Sequence, residues 1–231
     1  MSRKFFTSLR TSLSDQRIDA YRQSTTDTDI DLLECYLWNI AICEALYPTL
    51  QNIEIALRNN INDAIRSSCK NPHWLTDQNF LDAQQRHAVS FVIKKAKETG
   101  KTLNTGQIIA ELTFGFWTGL FDKKYGTVLW NRKDLIRSAF PNMPNDIRTR
   151  QTLSKRFTEI RIFRNRVFHH EPIWSKNKLG QQYEDLVEAL GWLNHDLRNT
   201  NQLVYDRFLL VYRQGSKPYR EKLLELISNL S

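Results

Sequence analysis

The chain has 231 residues and a formal net charge of +8, with 41% hydrophobic and 25% charged residues but only eight glycines and six prolines. This composition is typical of a globular protein with a core, and the scarcity of turn residues favours helices. No apolar run approaches the roughly 18 residues of a membrane span, and the basic start has no long apolar region, so we predict neither a membrane helix nor a signal peptide. The three cysteines have no metal-binding spacing, which predicts reduced thiols and a cytoplasmic location.

Hydrophobic periodicity and capping residues predict a series of helices in chain order. They cover residues 14–22, 30–46, 48–68, 77 or 79 to 98, 103–121 as one or two helices kinked at Gly115, 147–170, 181–198, 202–213 and 217–230. Residues 122–134 are predicted as a loop with short helices, and 141–146 (PNMPND) as a linker. No alternation indicates a sheet, so the predicted fold class is all-α, in one domain over residues 1–231 with additional N- and C-terminal helices.

Positive charge is concentrated in one segment. Residues 147–178 contain nine lysines and arginines against two glutamates, an excess of seven that accounts for nearly all of the net charge. A localised basic surface attracts polyanions, most often nucleic acid. The alternative is a helix face that is simply solvated. If the partner is RNA, the candidate binding residues are Arg161, Arg166, Lys176 and Lys178.

The same segment contains the stretch FRNRVFHHEPIW, residues 163–174. On a helical wheel that starts at Leu153, Arg164 falls near 20°, in the middle of the apolar stripe, and His169 falls near 160°. An arginine in an apolar stripe needs a partner for its charge, for which the sequence offers Glu34, Glu44 and Glu54. Pro172 disfavours helix at the residue before it, so the helix should end near residue 170.

Histidine beside arginine suits RNA cleavage by transesterification. The ribose 2′-OH attacks the adjacent phosphorus, a base takes its proton, an acid protonates the leaving 5′-oxygen, and a cation stabilises the developing charge. Imidazole titrates near neutral pH and serves as either acid or base, whereas guanidinium stays charged and forks onto phosphate.

The motif resembles the Arg-x4-His motif of HEPN-domain ribonucleases, and RNRVFHHEPIW resembles more narrowly the signature of the bacterial Abi-like, or abortive-infection, proteins. IEIALRN (53–59) and AELTFGFWTGLF (110–121) fit the same family, so the resemblance covers about residues 32–197. It implies a HEPN-like helical bundle, metal-independent RNA cleavage without a cofactor, and a homodimer with a composite site. It also implies action in phage defence or growth arrest, with restraint by a protein or noncoding-RNA antitoxin in some members.

The resemblance also assigns roles to individual residues. Arg164 would bind phosphate and stabilise the transition state, Asn165 would position the substrate, and His169 would be the general acid or base. His170 is open between a substrate or supporting contact and a capping residue. Glu171 is open between orienting a histidine and pairing with a basic residue.

Two residues on an earlier helix have a supporting role in this assignment. Glu54 and Arg58 lie four residues apart, where an intrahelical pair is the simplest interpretation. The alternative is that Glu54 reaches Arg164 and orients it.

Three functions remain open on the sequence. The first is an endoribonuclease of the Abi-like class. The second is an RNA-binding module of the same fold that does not cleave. In the third, the motif is structural and Arg164 closes a dimer. The homodimer that the resemblance implies would also explain apolar Ile162 on the outer face of the helix.

Overall fold

The computed structural model describes residues 2–77, 80–175 and 178–230, and most of them are helical. The helices are α1 Ser2–Leu13, α2 Asp15–Asp19, α3 Asp29–Ser68, α4 Ala83–Glu98, α5 Thr105–Glu111, α6 Phe114–Gly119, α7 Lys133–Ala139, α8 Arg150–Phe168, α9 Leu179–Leu193, α10 His195–Gln214 and α11 Lys217–Asn229. A 3-10 turn, Lys123–Tyr125, and a π-helical turn, Gly126–Trp130, precede α7. No strand occurs within the described ranges, which confirms the predicted all-α class. None of the described helices combines the length and the apolar character needed to cross a membrane.

The chain forms two compact units. The first comprises Met1–Pro48, Arg164–Tyr183 and Asn201–Ser231, and the second comprises Thr49–Phe163 and Glu184–Thr200. Both α3 and α8 cross from one unit into the other along the chain. The predicted single domain over residues 1–231 stays a prediction.

Each unit has a core of its own. In the first unit, buried apolar side chains of α2, α3 and α11 pack with the N-terminal helix and Trp174. In the second unit, the centre is aromatic: the Phe121 ring lies 5.4 Å from Phe157, 5.9 Å from Phe140 and 5.0 Å from Trp130, centroid to centroid. Such aromatic clusters contribute large buried areas, so they hold short helices together where local propensity is weak.

The continuous helix α3 corrects the prediction of a break before Pro48. Proline removes one backbone hydrogen bond and crowds the carbonyl four residues earlier, at a cost of about 3 kcal/mol. Leu46 and Leu50 on either side are 0% and 2% exposed, and burying each contributes about 1.5–3 kcal/mol. Burial on both sides of the proline therefore outweighs the local cost.

Two further predicted helix boundaries are wrong, and side-chain caps mark the positions at which these helices begin. Helix α4 begins after Asp82, whose side chain accepts from the Gln85 backbone N–H, rather than at Asp77, while Asn79 lies outside the described residues. The break between α5 and α6 lies before Thr113, whose hydroxyl accepts from a backbone N–H of the next turn, and not at Gly115. Side-chain caps therefore mark these boundaries better than proximity to glycine.

The C-terminal helices also differ from the prediction. The Asn194 side-chain oxygen accepts from the Leu197 backbone N–H at 2.8 Å, so one helix ends at Leu193 and the next begins at His195. The predicted break instead lay between Arg198 and Gln202. Helix α1 was not predicted at all.

Candidate functional site

The apolar stripe predicted for the motif helix is present in α8. Leu153, Phe157, Ile160 and Val167 are between 0% and 4% exposed, and Phe168 is partly buried. The helix runs over Arg150–Phe168, slightly shorter at both ends than the predicted 147–170.

The end of α8 is closed by a Schellman motif. The backbone N–H of His170 donates to the Val167 carbonyl at 3.1 Å, and that of Glu171 donates to the Arg166 carbonyl at 2.9 Å. His170 has a φ of 58°, the left-handed conformation that this motif requires and that glycine normally supplies. The structure therefore gives His170 a backbone role as the helix-terminating residue.

The segment after α8 is held by two residues that the sequence analysis did not identify. Asn39, 2% exposed on α3, accepts from the backbone N–H groups of Ile173 at 2.8 Å and Trp174 at 3.3 Å, and donates to the Glu171 carbonyl at 3.4 Å. Arg17 donates to the His170 carbonyl. A polar residue among apolar positions of α3 could have indicated that Asn39 has a buried partner. No local sequence pattern indicated a role for Arg17.

Arg164 has an aromatic partner. Its guanidinium carbon lies 4.1 Å from the centroid of the Phe168 ring, within cation–π range. One guanidinium nitrogen donates to the Asn165 side-chain oxygen at 3.4 Å. The Phe168 ring in turn lies 5.3 Å from that of Tyr47. The guanidinium of the partly buried Arg164 thus packs against an aromatic ring.

The two histidines of the motif are exposed. His169 and His170 follow α8 directly, and their side chains face solvent. Arg164 is partly buried one turn earlier, as expected from their separation on the wheel. Among the described residues, no group of three or more His, Cys, Asp or Glu side chains lies close enough to hold a metal ion.

Glu171 and Arg166 form an ion pair with each other. The Arg166 Nε and a Glu171 carboxylate oxygen are 3.0 Å apart, and another Arg166 nitrogen donates to the Pro172 carbonyl at 3.4 Å. Of the two interpretations open for Glu171, the geometry matches pairing with a basic residue. The pair also bridges the Schellman turn, so it contributes to fixing the end of α8.

Two of the three acidic residues considered as partners of Arg164 pair with other arginines. Glu44 binds Arg207 at 2.6 Å, and Glu34 binds Arg220 at 2.9 Å. Glu54 and Arg58 belong to the second unit, and an Arg58 nitrogen donates to the Ala110 carbonyl at the end of α5, at 3.3 Å. The orientation of Arg164 by Glu54 stays a prediction.

Much of the basic segment makes contacts within the second unit. Arg148 donates to the Met143 carbonyl and Arg150 to that of Phe121. Arg156 forms ion pairs with Asp185 at 3.0 Å and Glu188 at 2.8 Å. Several arginines of the basic segment therefore stabilise the fold of the second unit.

The proposed RNA-binding residues differ in their surroundings. Arg161 is partly buried and its aliphatic stem lies beside Gly115. Lys178 is exposed, and Lys176 lies outside the described residues. Arg166 is paired with Glu171, whereas the Lys178 side chain is exposed to solvent. Of these residues, Lys178 is therefore the one most accessible to a phosphate group.

A comparison with protein families gives a match to the model described as Abi-like protein, over residues 3–175. The match includes the three stretches that carry the resemblance and the whole of α8. Searches among curated proteins and among solved structures gave no match.

Proposed function

Because the chain belongs to the Abi-like protein family, which suggests a role in abortive infection, we propose that it is an endoribonuclease acting in bacterial defence against phage or as a growth-arrest toxin. RNA is its proposed substrate. The reaction is transesterification by the 2′-OH, with no metal and no other cofactor in the chemical step. The end of α8 carries the proposed site.

One observation supports this proposal above the others. A partly buried guanidinium and an exposed imidazole lie five residues apart at the end of a helix whose terminal backbone is fixed by hydrogen bonds to Asn39 and Arg17. Phosphoryl transfer requires a charged group and a proton-transfer group on a fixed backbone, because groups that are already in position lower the activation barrier.

The chemistry assigns different tasks to the two side chains. Arg164 binds the non-bridging oxygens of the scissile phosphate and stabilises the charge that builds on them. As the 2′-oxygen bonds to phosphorus, the bond to the 5′-oxygen breaks; His169 transfers one of the two protons that must move. The products are a 2′,3′-cyclic phosphate and a free 5′-OH. Asn165 positions the substrate, and Lys178, with Arg161 and Lys176, binds flanking phosphates.

A homodimer is the proposed assembly. Arg164 and His169 fall on different sides of α8, so Arg164 of one copy and His169 of another would complete one site. An antitoxin, either a protein or a noncoding RNA, is the proposed restraint on such an enzyme. Both proposals rest on the family resemblance.

The proposed activity is tested with purified wild-type protein and His169→Ala, incubated with RNA in EDTA. Fragments ending in 2′,3′-cyclic phosphate are expected from the wild type and not from His169→Ala. His73→Ala is the matched control, because His73 is also exposed but lies in the turn after α3, and it should cut as the wild type does.

The other outcomes distinguish the remaining functions. Equal cutting by wild type and His169→Ala would contradict the assignment of His169. RNA that binds both proteins but stays intact would favour the non-cleaving binding module. Dissociation or unfolding of Arg164→Ala without any RNA binding would favour the structural interpretation.

A further inference from the structure

A groove lies beside the motif, within the first unit. Its volume is about 560 Å³, and it runs between the part of α3 before Thr49 and the end of α8. Tyr47 and Ile40 on its wall are 50% and 46% exposed. The lining residues that matter here are Ile40, Glu44, Tyr47, Phe168, His170 and Arg207.

Ring contacts connect this groove to Arg164. The Phe168 ring lies 4.1 Å from the Arg164 guanidinium carbon and 5.3 Å from the Tyr47 ring, both measured from ring centroids. A phosphate bound by Arg164 would thus have an exposed aromatic surface one nucleoside away. His170, beside the proposed proton-transfer residue, also lines the groove.

We propose that this groove binds one unstacked nucleobase of the substrate, next to the scissile phosphate, by stacking on Tyr47. The proposal rests on the proposed function, since RNA is the ligand in both. Single-stranded RNA is commonly recognised by bases splayed onto aromatic side chains, each stack contributing about 1–3 kcal/mol. The volume is in the range of small-ligand pockets, about 300–1,000 Å³.

The polar groups of the groove favour guanine. Glu44 and Arg207 lie 2.6 Å apart at its rim, with side chains 58% and 57% exposed. The Watson–Crick edge of guanine has two adjacent donors, N1–H and the 2-amino group, and one acceptor, O6. A carboxylate accepts from both donors while the neighbouring guanidinium donates to O6. No other RNA base offers two donors beside an acceptor, so guanine matches this pair best.

The test measures binding separately from cleavage. His169→Ala supplies a non-cleaving background, and the probes are short single-stranded RNAs that differ at one position as G, A, C or U. Tyr47→Ala in this background should weaken binding of the G probe about 5- to 100-fold, and Tyr47→Phe should restore most of it because the ring is kept. Phe91→Ala is the control, since Phe91 is an exposed aromatic residue, 60% exposed, on α4.

Base preference gives a second measurement. Glu44→Gln should reduce discrimination between the G and A probes while leaving the Tyr47 dependence in place. A folded Tyr47→Ala protein that binds every probe as tightly as its parent would overturn the proposal, as would a parent that binds no probe. A change of mass in light scattering for Tyr47→Ala without altered RNA affinity would assign the groove to a second copy of the chain.

The proposed function can fail independently of this inference. If the wild type cuts no RNA but its binding of the G probe is weakened by Tyr47→Ala, the base-binding groove is supported and the nuclease activity is contradicted. If the wild type cuts RNA with no base preference and Tyr47→Ala cuts equally well, the nuclease activity is supported and the base-binding groove is contradicted.

Discussion

The two ends of α8 use arginine in different ways. Near its start, the Arg156 guanidinium forms ion pairs with Asp185 and Glu188 and lies 5.0 Å from the Trp192 ring. At its end, the Arg164 guanidinium is stacked on Phe168, and two exposed histidines follow the helix in the chain. The first arrangement ties helices of the second unit together. The second packs a cation against an aromatic ring within the first unit.

This difference shows what a count of charges along the sequence leaves out. Both arginines belong to the same strongly basic segment, yet the Arg156 guanidinium pairs with two carboxylates of the second unit, whereas the Arg164 guanidinium packs on the Phe168 ring. Charge density indicates a polyanion-binding surface only after structural pairs are removed.

Arg164→Lys should reduce RNA cleavage by about 100-fold or more, because lysine keeps the charge but loses the planar fork and the stack on Phe168. Cleavage rates under single-turnover conditions, with melting temperatures for each protein, measure the effect. Arg156→Lys is the matched control and should cut normally. Full activity of Arg164→Lys would show that the planar cation is not required.

Asn39→Ala should lower the free energy of unfolding by about 2–3 kcal/mol, since it leaves buried backbone groups of the segment after α8 without their partner. Urea titration measures this, with Asn199→Ala, at an exposed site on α10, as the control. Cleavage should fall as well, because the position of His169 depends on this segment. A stability equal to the wild type would mean that the anchor is dispensable.

Arg156→Ala should cost about 1–2 kcal/mol of stability and leave cleavage intact. Two ion pairs and one ring contact are lost, partly screened by solvent. The loss should shrink at high salt, which Lys155→Ala, an exposed neighbour, should not reproduce. Reduced RNA affinity in the Arg156 variant would place that arginine in the binding surface instead.

His170→Gly should stabilise the protein by up to about 1 kcal/mol, because glycine adopts the left-handed conformation at φ 58° without strain. His170→Ala keeps the strain and removes the imidazole, so the two variants separate the backbone role from a chemical one. If both cut RNA as the wild type does, His170 is a helix-terminating residue only. If both lose activity equally, its imidazole takes part.

The sequence predicted the elements whose periodicity is strong, while the roles of the motif residues stay predictions. The all-α class, the apolar stripe of α8 and the helix end near Pro172 all follow from local patterns. Continuity through Pro48 does not, because burial of distant side chains decides it. Arg17 and Asn39 were missed for the same reason: their partners lie more than 130 residues away along the chain.

A third arginine, Arg220, forms an ion pair with Asp31. The smallest predicted effect concerns the carboxylate of this pair. Hydrogen bonds from the Thr28 hydroxyl and then from Arg220 lower the pKa of Asp31 from its ordinary value of 3.8 to about 2. A carboxyl with a lowered pKa stabilises the fold fully above its ordinary value and loses that contribution as the pH falls toward the folded-state value.

The wild type should therefore lose more thermal stability than Asp31→Asn between pH 4 and about pH 2. The effect should be small because the Asp31 side chain is 34% exposed and solvent screens the pair. Glu221→Gln, the same change at an exposed site on α11, controls for net charge. Parallel pH profiles of wild type and Asp31→Asn would mean that the hydrogen bonds from Thr28 and Arg220 to this carboxylate contribute no measurable stability, unlike the ion pairs of Arg156.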